Sequence, residues 1–85
     1  MLEELGDIIR FHRKKSGLTQ LELAQLAGIG KAAVYDMEHT TKSTRIDTLL
    51  KVLKVLNIEV RLESPIMKAY EDHKHEESES VRSQK

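Results

Sequence analysis

Histidine and carboxylate gather most densely at His73-Lys74-His75-Glu76-Glu77, and imidazole beside carboxylate is metal-binding chemistry. Nothing nearby fixes their geometry, and Lys74 sets a cation between the two imidazoles, so the run reads as a solvated tail and no metal site is expected. Cysteine is absent, which removes disulfides, thiolate zinc sites and a Cys nucleophile together. Asp and Glu are plentiful, yet 85 residues offer no core large enough to dry a pair of them for acid–base work. Gly28-Ile29-Gly30-Lys31 lacks the length and the preceding strand of a phosphate-binding loop. No enzyme activity and no cofactor are expected. What remains are local cationic clusters, Arg10-Arg13-Lys14-Lys15 and the run Lys42-Ser43-Thr44-Arg45. Phosphate oxygens are the natural ligands of such groups, although a charge run on a helix can equally be a solvated face.

The elements that position these groups follow from periodicity. Leu2, Leu5, Ile8, Ile9 and Phe11 mark a helix over roughly 2–15, stopped by Ser16-Gly17. Thr19, with Glu22 three residues on, has the spacing of a capping box and opens a second helix that ends at Gly28. A short third helix starts at Lys31, with Val34 and Met37 as its apolar contacts. Ile46, Leu49, Leu50, Leu53 and Leu56 predict a fourth helix with a buried stripe. After Asn57 the period becomes 2: Ile58, Val60 and Leu62 alternate with Glu59, Arg61 and Glu63, a half-buried strand closed by Pro65. No second alternating stretch exists for it to pair with, so a homodimer joined by an antiparallel ribbon through Ile58, Val60 and Leu62 is the simplest reading. An extended arm packed on its own helices is the alternative.

Fourteen basic residues balance fourteen acidic ones, and the split is nearly even on both sides of Pro65: ten against nine before it, four against five after. That excludes polyanion binding by bulk charge. The chain therefore divides into a globular domain over 1–65 and a charged tail over 66–85, the latter too polar to offset its ordering entropy and expected to be disordered or weakly helical when free. No apolar run approaches the ~20 residues of a membrane span, and Glu3 and Glu4 follow Met1, unlike a signal peptide. A soluble, cytoplasmic protein is expected.

Two helices joined at Gly28-Ile29, the second short and presented to solvent, are the physical description of a helix-turn-helix, whose second helix enters the DNA major groove. Gly28 suits a turn requiring positive φ, and Ala24 is small where two helices must cross closely. Thr19-Gln20, Leu23-Ala24, Gly28-Ile29, Val34 and Glu38 resemble the Xre/Cro-type repressor family in identity and spacing. The run Thr44 to Leu53, followed by a strand instead of a fifth helix, is more narrowly similar to HipB-like antitoxins. The resemblance covers about residues 1–65 and implies a mainly α, four- or five-helix repressor-like domain with a C-terminal strand pairing across a homodimer.

Carried over position by position, the resemblance places Gln20 at a phosphate, where it also buttresses the recognition helix, with Thr19 beside it among the DNA-binding candidates, and Lys31, Ala32 and Asp36 at base edges. The chemistry is coherent: Lys31 can donate to guanine O6 and N7, Ala32 or Ala33 can meet a thymine methyl, and Asp36 can accept from cytosine N4. Gly30 stands where relatives carry Ser or Thr, removing a hydroxyl cap and with it a phosphate contact. Tyr35, His39, Lys42, Thr44 and Arg45 complete the set of DNA-facing candidates, those at the start of helix four favoured by the positive end of its dipole. With few long polar side chains on helix three, direct readout is expected to be modest and DNA shape to contribute. Arg13 and Glu38 fall where relatives form a buried ion pair, which either fixes packing alone or also orients Arg13 toward a phosphate.

The resulting expectation is a homodimeric repressor of palindromic operator DNA that resembles the antitoxin of a HipAB-like module, implying a partner similar to HipA-type serine/threonine kinases. A stand-alone phage or plasmid repressor, and an interaction scaffold that binds no DNA, are the competing readings.

Overall fold

Helix α1, Leu2–Lys15, turns Leu5 and Ile9 of its apolar stripe inward; Ile8 and Phe11 are exposed, and Lys15 Nζ lies 5.6 Å from the centroid of the Phe11 ring. It stops where Gly17 takes φ 73°, with the Gly17 N–H donating to the Lys14 carbonyl and the Leu18 N–H to that of Arg13. This left-handed termination recurs at Gly28 and at Asn57. The computed structural model describes residues 2–40 and 44–83, with side chains over 4–40 and 44–76.

Helix α2, Gln20–Ala27, opens with the capping box foreseen: the Glu22 N–H donates to Thr19 Oγ1 at 3.1 Å, and the Thr19 N–H to Glu22 Oε1 at 2.9 Å. Helix α3 spans Lys31–His39 and α4 spans Ile46–Val55. The core is built from Ile9 of α1, Leu23 and Ala24 of α2, Val34 and Met37 of α3, and Val52, Leu53 and Leu56 at the end of α4. The stripe foreseen for α4 is rotated: Val52 is wholly buried, whereas Ile46 and Leu50 face outward.

One expected element is missing from the single chain. The segment 58–63 forms no strand, and no strand occurs among the described residues. Its alternating pattern is that of a two-faced ribbon, which cannot exist without a neighbour, and Val60 and Leu62 are left exposed at 58% and 77%. Most of the segment expected to be disordered or weakly helical when free is drawn into a helix. A turn in which the Met67 N–H donates to the Ser64 carbonyl leads past Pro65 into helix α5, Met67–Ser83, a run free of Gly and Pro. Of its described side chains, 67–76, Met67 is half-buried and the others are exposed. No helix of the described residues is long and apolar enough to cross a membrane.

Candidate nucleic-acid interface

The angle between α2 and α3 is set by the turn. Gly28 adopts φ 71°, its N–H donates to the Gln25 carbonyl, and the Ile29 N–H reaches the Ala24 carbonyl at 2.9 Å. The chain then re-enters a helix at Gly30, whose extended φ/ψ of −79°/153° makes it the N-cap of α3 without any side-chain hydrogen bond. Lys31, Ala32, Tyr35, Asp36 and His39 are exposed along α3, Ala33 half so, while Val34, Met37 and Glu38 are buried. One helix thus separates an outward polar face from an inward apolar one, as a groove-reading helix must.

The outward face is stiffened at its C-terminal end. The Tyr35 and His39 rings stack with centroids 4.0 Å apart and planes 20° from parallel, and His39 Nδ1 lies 2.8 Å from the Tyr35 carbonyl oxygen. Behind α3 sits a polar network. Arg13 of α1 donates from Nε to Glu38 Oε2 at 2.6 Å and from Nη2 to Oε1 at 3.1 Å, a bidentate pair whose side chains are 10% and 0% exposed. Arg13 Nη1 also donates to the Leu18 carbonyl, and Gln20 Nε2 of α2 donates to Glu38 Oε1 at 3.3 Å. Three helices therefore meet on one carboxylate. With the guanidinium turned inward to Glu38 and Leu18, the packing role of Arg13 is satisfied without a phosphate.

Beside α3 a shallow cleft of about 210 Å³ runs between Ala33 and Asp36 on one side and Thr44, Arg45 and Thr48 on the other. Arg45 is exposed and pairs with Asp47 at 3.3 Å. Thr19 is exposed at the start of α2, where hydrogen bonds donated by its backbone N–H and its hydroxyl hold the Glu22 carboxyl below its ordinary value. Lys42, another candidate, lies outside the described residues. Thr19, Gly30, Lys31, Ala32, Ala33, Asp36, Thr44 and Arg45 thus border α3 and its flanks; His73 and His75 lie apart on α5, and no group of three or more possible metal ligands occurs among the described residues.

One positioning residue escaped the sequence reading. A Cβ on Gly6 would lie 2.8 Å from the Glu38 carbonyl oxygen and 3.0 Å from that of Met37, so this glycine lets α1 approach the back of α3. Its signal in the sequence is a glycine in the middle of a helical stripe, where it is unfavourable unless a backbone passes close.

Comparison with known proteins agrees with this geometry. The helix-turn-helix family model matches residues 9–62. An uncharacterised HTH-type transcriptional regulator, y4mF of Sinorhizobium fredii, is 32% identical over 62 residues, covering 73% of this chain and 82% of that protein. Among solved structures, a complex of a HipB variant with an O2 20mer superposes with a TM-score of 0.70 at 28% identity over 76% of this chain and 90% of that one. A HipA-HipB-O2-O3 complex gives 0.71 at 28% identity, covering 76% and 92%.

Proposed function

The chain belongs to the Xre/Cro-type helix-turn-helix family of transcriptional regulators, and on that premise we propose that it is a homodimeric, sequence-specific repressor acting as the antitoxin of a HipAB-like module. It binds palindromic operators in its own promoter and forms a complex with a kinase-type toxin. The observation that carries the DNA-binding part is α3 itself: an exposed face of Lys31, Ala32, Tyr35, Asp36 and His39, backed by a buried network that joins α1, α2 and α3. The likeness to HipB chains solved with 20mers and with HipA supports the operator and toxin parts.

Two recognition helices related by a two-fold axis demand half-sites about one helical turn, ~34–36 Å, or a multiple apart. The dimer forms through the 58–63 segment. Val60 and Leu62 are exposed there, and Ile46 and Leu50 present further apolar surface on α4. Pairing two copies of this segment satisfies its backbone groups and covers its apolar side chains. Val60→Pro removes one ladder N–H and yields monomers by light scattering; a variant still dimeric moves the interface elsewhere.

Fluorescence anisotropy of the protein against the duplex upstream of its own gene, beside a scrambled duplex and at two salt concentrations, tests the central reading. A preference of ~10³-fold or more, lowered by Lys31→Ala with unchanged melting, supports specific repression. Equal weak binding to both duplexes returns the fold to the role of a scaffold. Co-purification of a kinase encoded beside the gene supports the antitoxin role, and a repressor with no such neighbour stands alone.

A further inference from the structure

Resting on the DNA-binding reading above, we infer that Asp36 selects the operator by rejection: its carboxylate admits cytosine at one position of each half-site and turns away guanine and thymine. Asp36 lies four residues after Ala32 and three after Ala33, so the three share one face of α3. Two methyl side chains let the helix backbone approach the groove floor closely, and this brings the short Asp36 side chain within reach of a base edge. An ionised carboxylate only accepts hydrogen bonds. In the major groove cytosine offers the N4 donor, adenine pairs its N6 donor with the N7 acceptor, and guanine and thymine present acceptors. A carboxylate facing guanine or thymine meets lone pairs after losing its own water, so discrimination comes from the penalty on wrong bases more than from a bond to the right one.

The surroundings leave that charge in place. Among the described residues neither salt bridge includes Asp36, and the cation across the cleft, Arg45, is paired with Asp47. Phosphates flanking the groove repel the carboxylate on every sequence, so Asp36 also weakens non-specific binding. A residue of this kind sharpens the ratio between cognate and non-cognate affinity while lowering both.

Selection of the full-length protein, and of its Asp36→Ala and Asp36→Asn variants, on a random duplex pool tests the inference. The wild type is expected to enrich a palindromic motif with cytosine at one position per half-site. Asp36→Ala should leave the rest of the motif intact, abolish a discrimination of ~10-fold or more at that position, and bind a scrambled duplex several-fold tighter at low salt. Asp36→Asn should move the preference there to adenine, because an amide pairs with N6 and N7 together. Asp36 is exposed, so melting curves of both variants should match the wild type. Motifs identical in all three proteins, or scrambled-duplex affinity unchanged in both variants, overturn the inference and leave the DNA reading standing. A wild type that enriches no motif overturns both.

Discussion

Glu38→Ala is the most informative single perturbation of this fold. It removes the carboxylate on which Arg13 and Gln20 converge, through bonds of 2.6, 3.1 and 3.3 Å. The Arg13 side chain is 10% exposed, so its guanidinium keeps one protein partner, the Leu18 carbonyl, and little water. Breaking a buried pair from one side costs about 3–5 kcal/mol, because the remaining charge is stranded. A domain of this size has roughly 5–10 kcal/mol in all. At ~4–8 °C per kcal/mol, the melting temperature should fall by at least ~12 °C. The assay is urea and thermal denaturation followed by circular dichroism, run as a cycle with Arg13→Met and the double variant Arg13→Met/Glu38→Leu. The double variant should lose less than the two single losses combined, with a coupling of ~1 kcal/mol or more, since it removes both charges at once. Glu38→Ala melting within ~1 kcal/mol of the wild type, or a cycle that closes additively, would refute the view that α1, α2 and α3 are pinned through this carboxylate.

Other consequences are smaller and as direct. Gly6→Ala should destabilise by ~1–3 kcal/mol in urea titrations despite the better helix propensity of alanine, because its Cβ meets two carbonyl oxygens that belong to backbone; a stabilised variant would show that α1 can move away freely. Asn57 stands at φ 59°, with its N–H on the Lys54 carbonyl and the Ile58 N–H on that of Leu53, so Asn57→Gly should be neutral or stabilising and Asn57→Ala should lose ~1 kcal/mol by thermal melting. The Glu22 carboxyl is held low by the Thr19 backbone N–H and hydroxyl. A depressed folded value means that its contribution is present above the unfolded carboxylate value and lost as pH falls through the folded one. The gap in melting temperature between wild type and Glu22→Ala should therefore narrow as pH is lowered from 7 toward ~2.

Local features of the sequence carried most of this architecture. The end of α1 and both ends of α2 are announced by caps and stops, Gly17, Thr19 with Glu22, and Gly28, which act within a few residues of themselves, and α3 and α4 by their apolar spacing. What the periodicity could not resolve is rotation. Ile8 and Ile46 fit their stripes as well as Ile9 and Leu53 do, yet point outward, because which side of a wide apolar stripe is covered depends on where the other helices lie. The 58–63 segment forms no strand in the single chain for a related reason: alternation specifies two faces but not the partner that lets them form a ladder. Helix α5 lies in the segment expected to be disordered or weakly helical, where an uninterrupted run of helix-tolerant residues follows Pro65. At the site, the expectation for Lys31, Asp36 and Gln20 rested on the family resemblance, whereas Gly6 gave no such lead, since its importance lies in a backbone 31 and 32 residues further along the chain.

The division between the two faces of α3 also separates the ways in which its residues can fail. Glu38, Met37 and Val34 hold the helix from behind and are buried, so changes there alter stability and shift the whole helix relative to any groove it enters. Lys31, Ala32 and Asp36 are exposed and, among the described residues, their side chains make no hydrogen bond or ion pair, so on the proposed reading changes there should alter recognition while melting stays constant. Gln20 belongs to both classes: half-buried, it donates to Glu38 from the start of α2, the end that would face a phosphate. A loss of affinity in Gln20→Ala is therefore interpretable only beside its melting curve. If stability is retained and affinity falls by a similar factor on cognate and scrambled duplexes with the salt slope unchanged, the neutral amide grips phosphate; if affinity falls in step with stability, it acts only as a strut for Glu38.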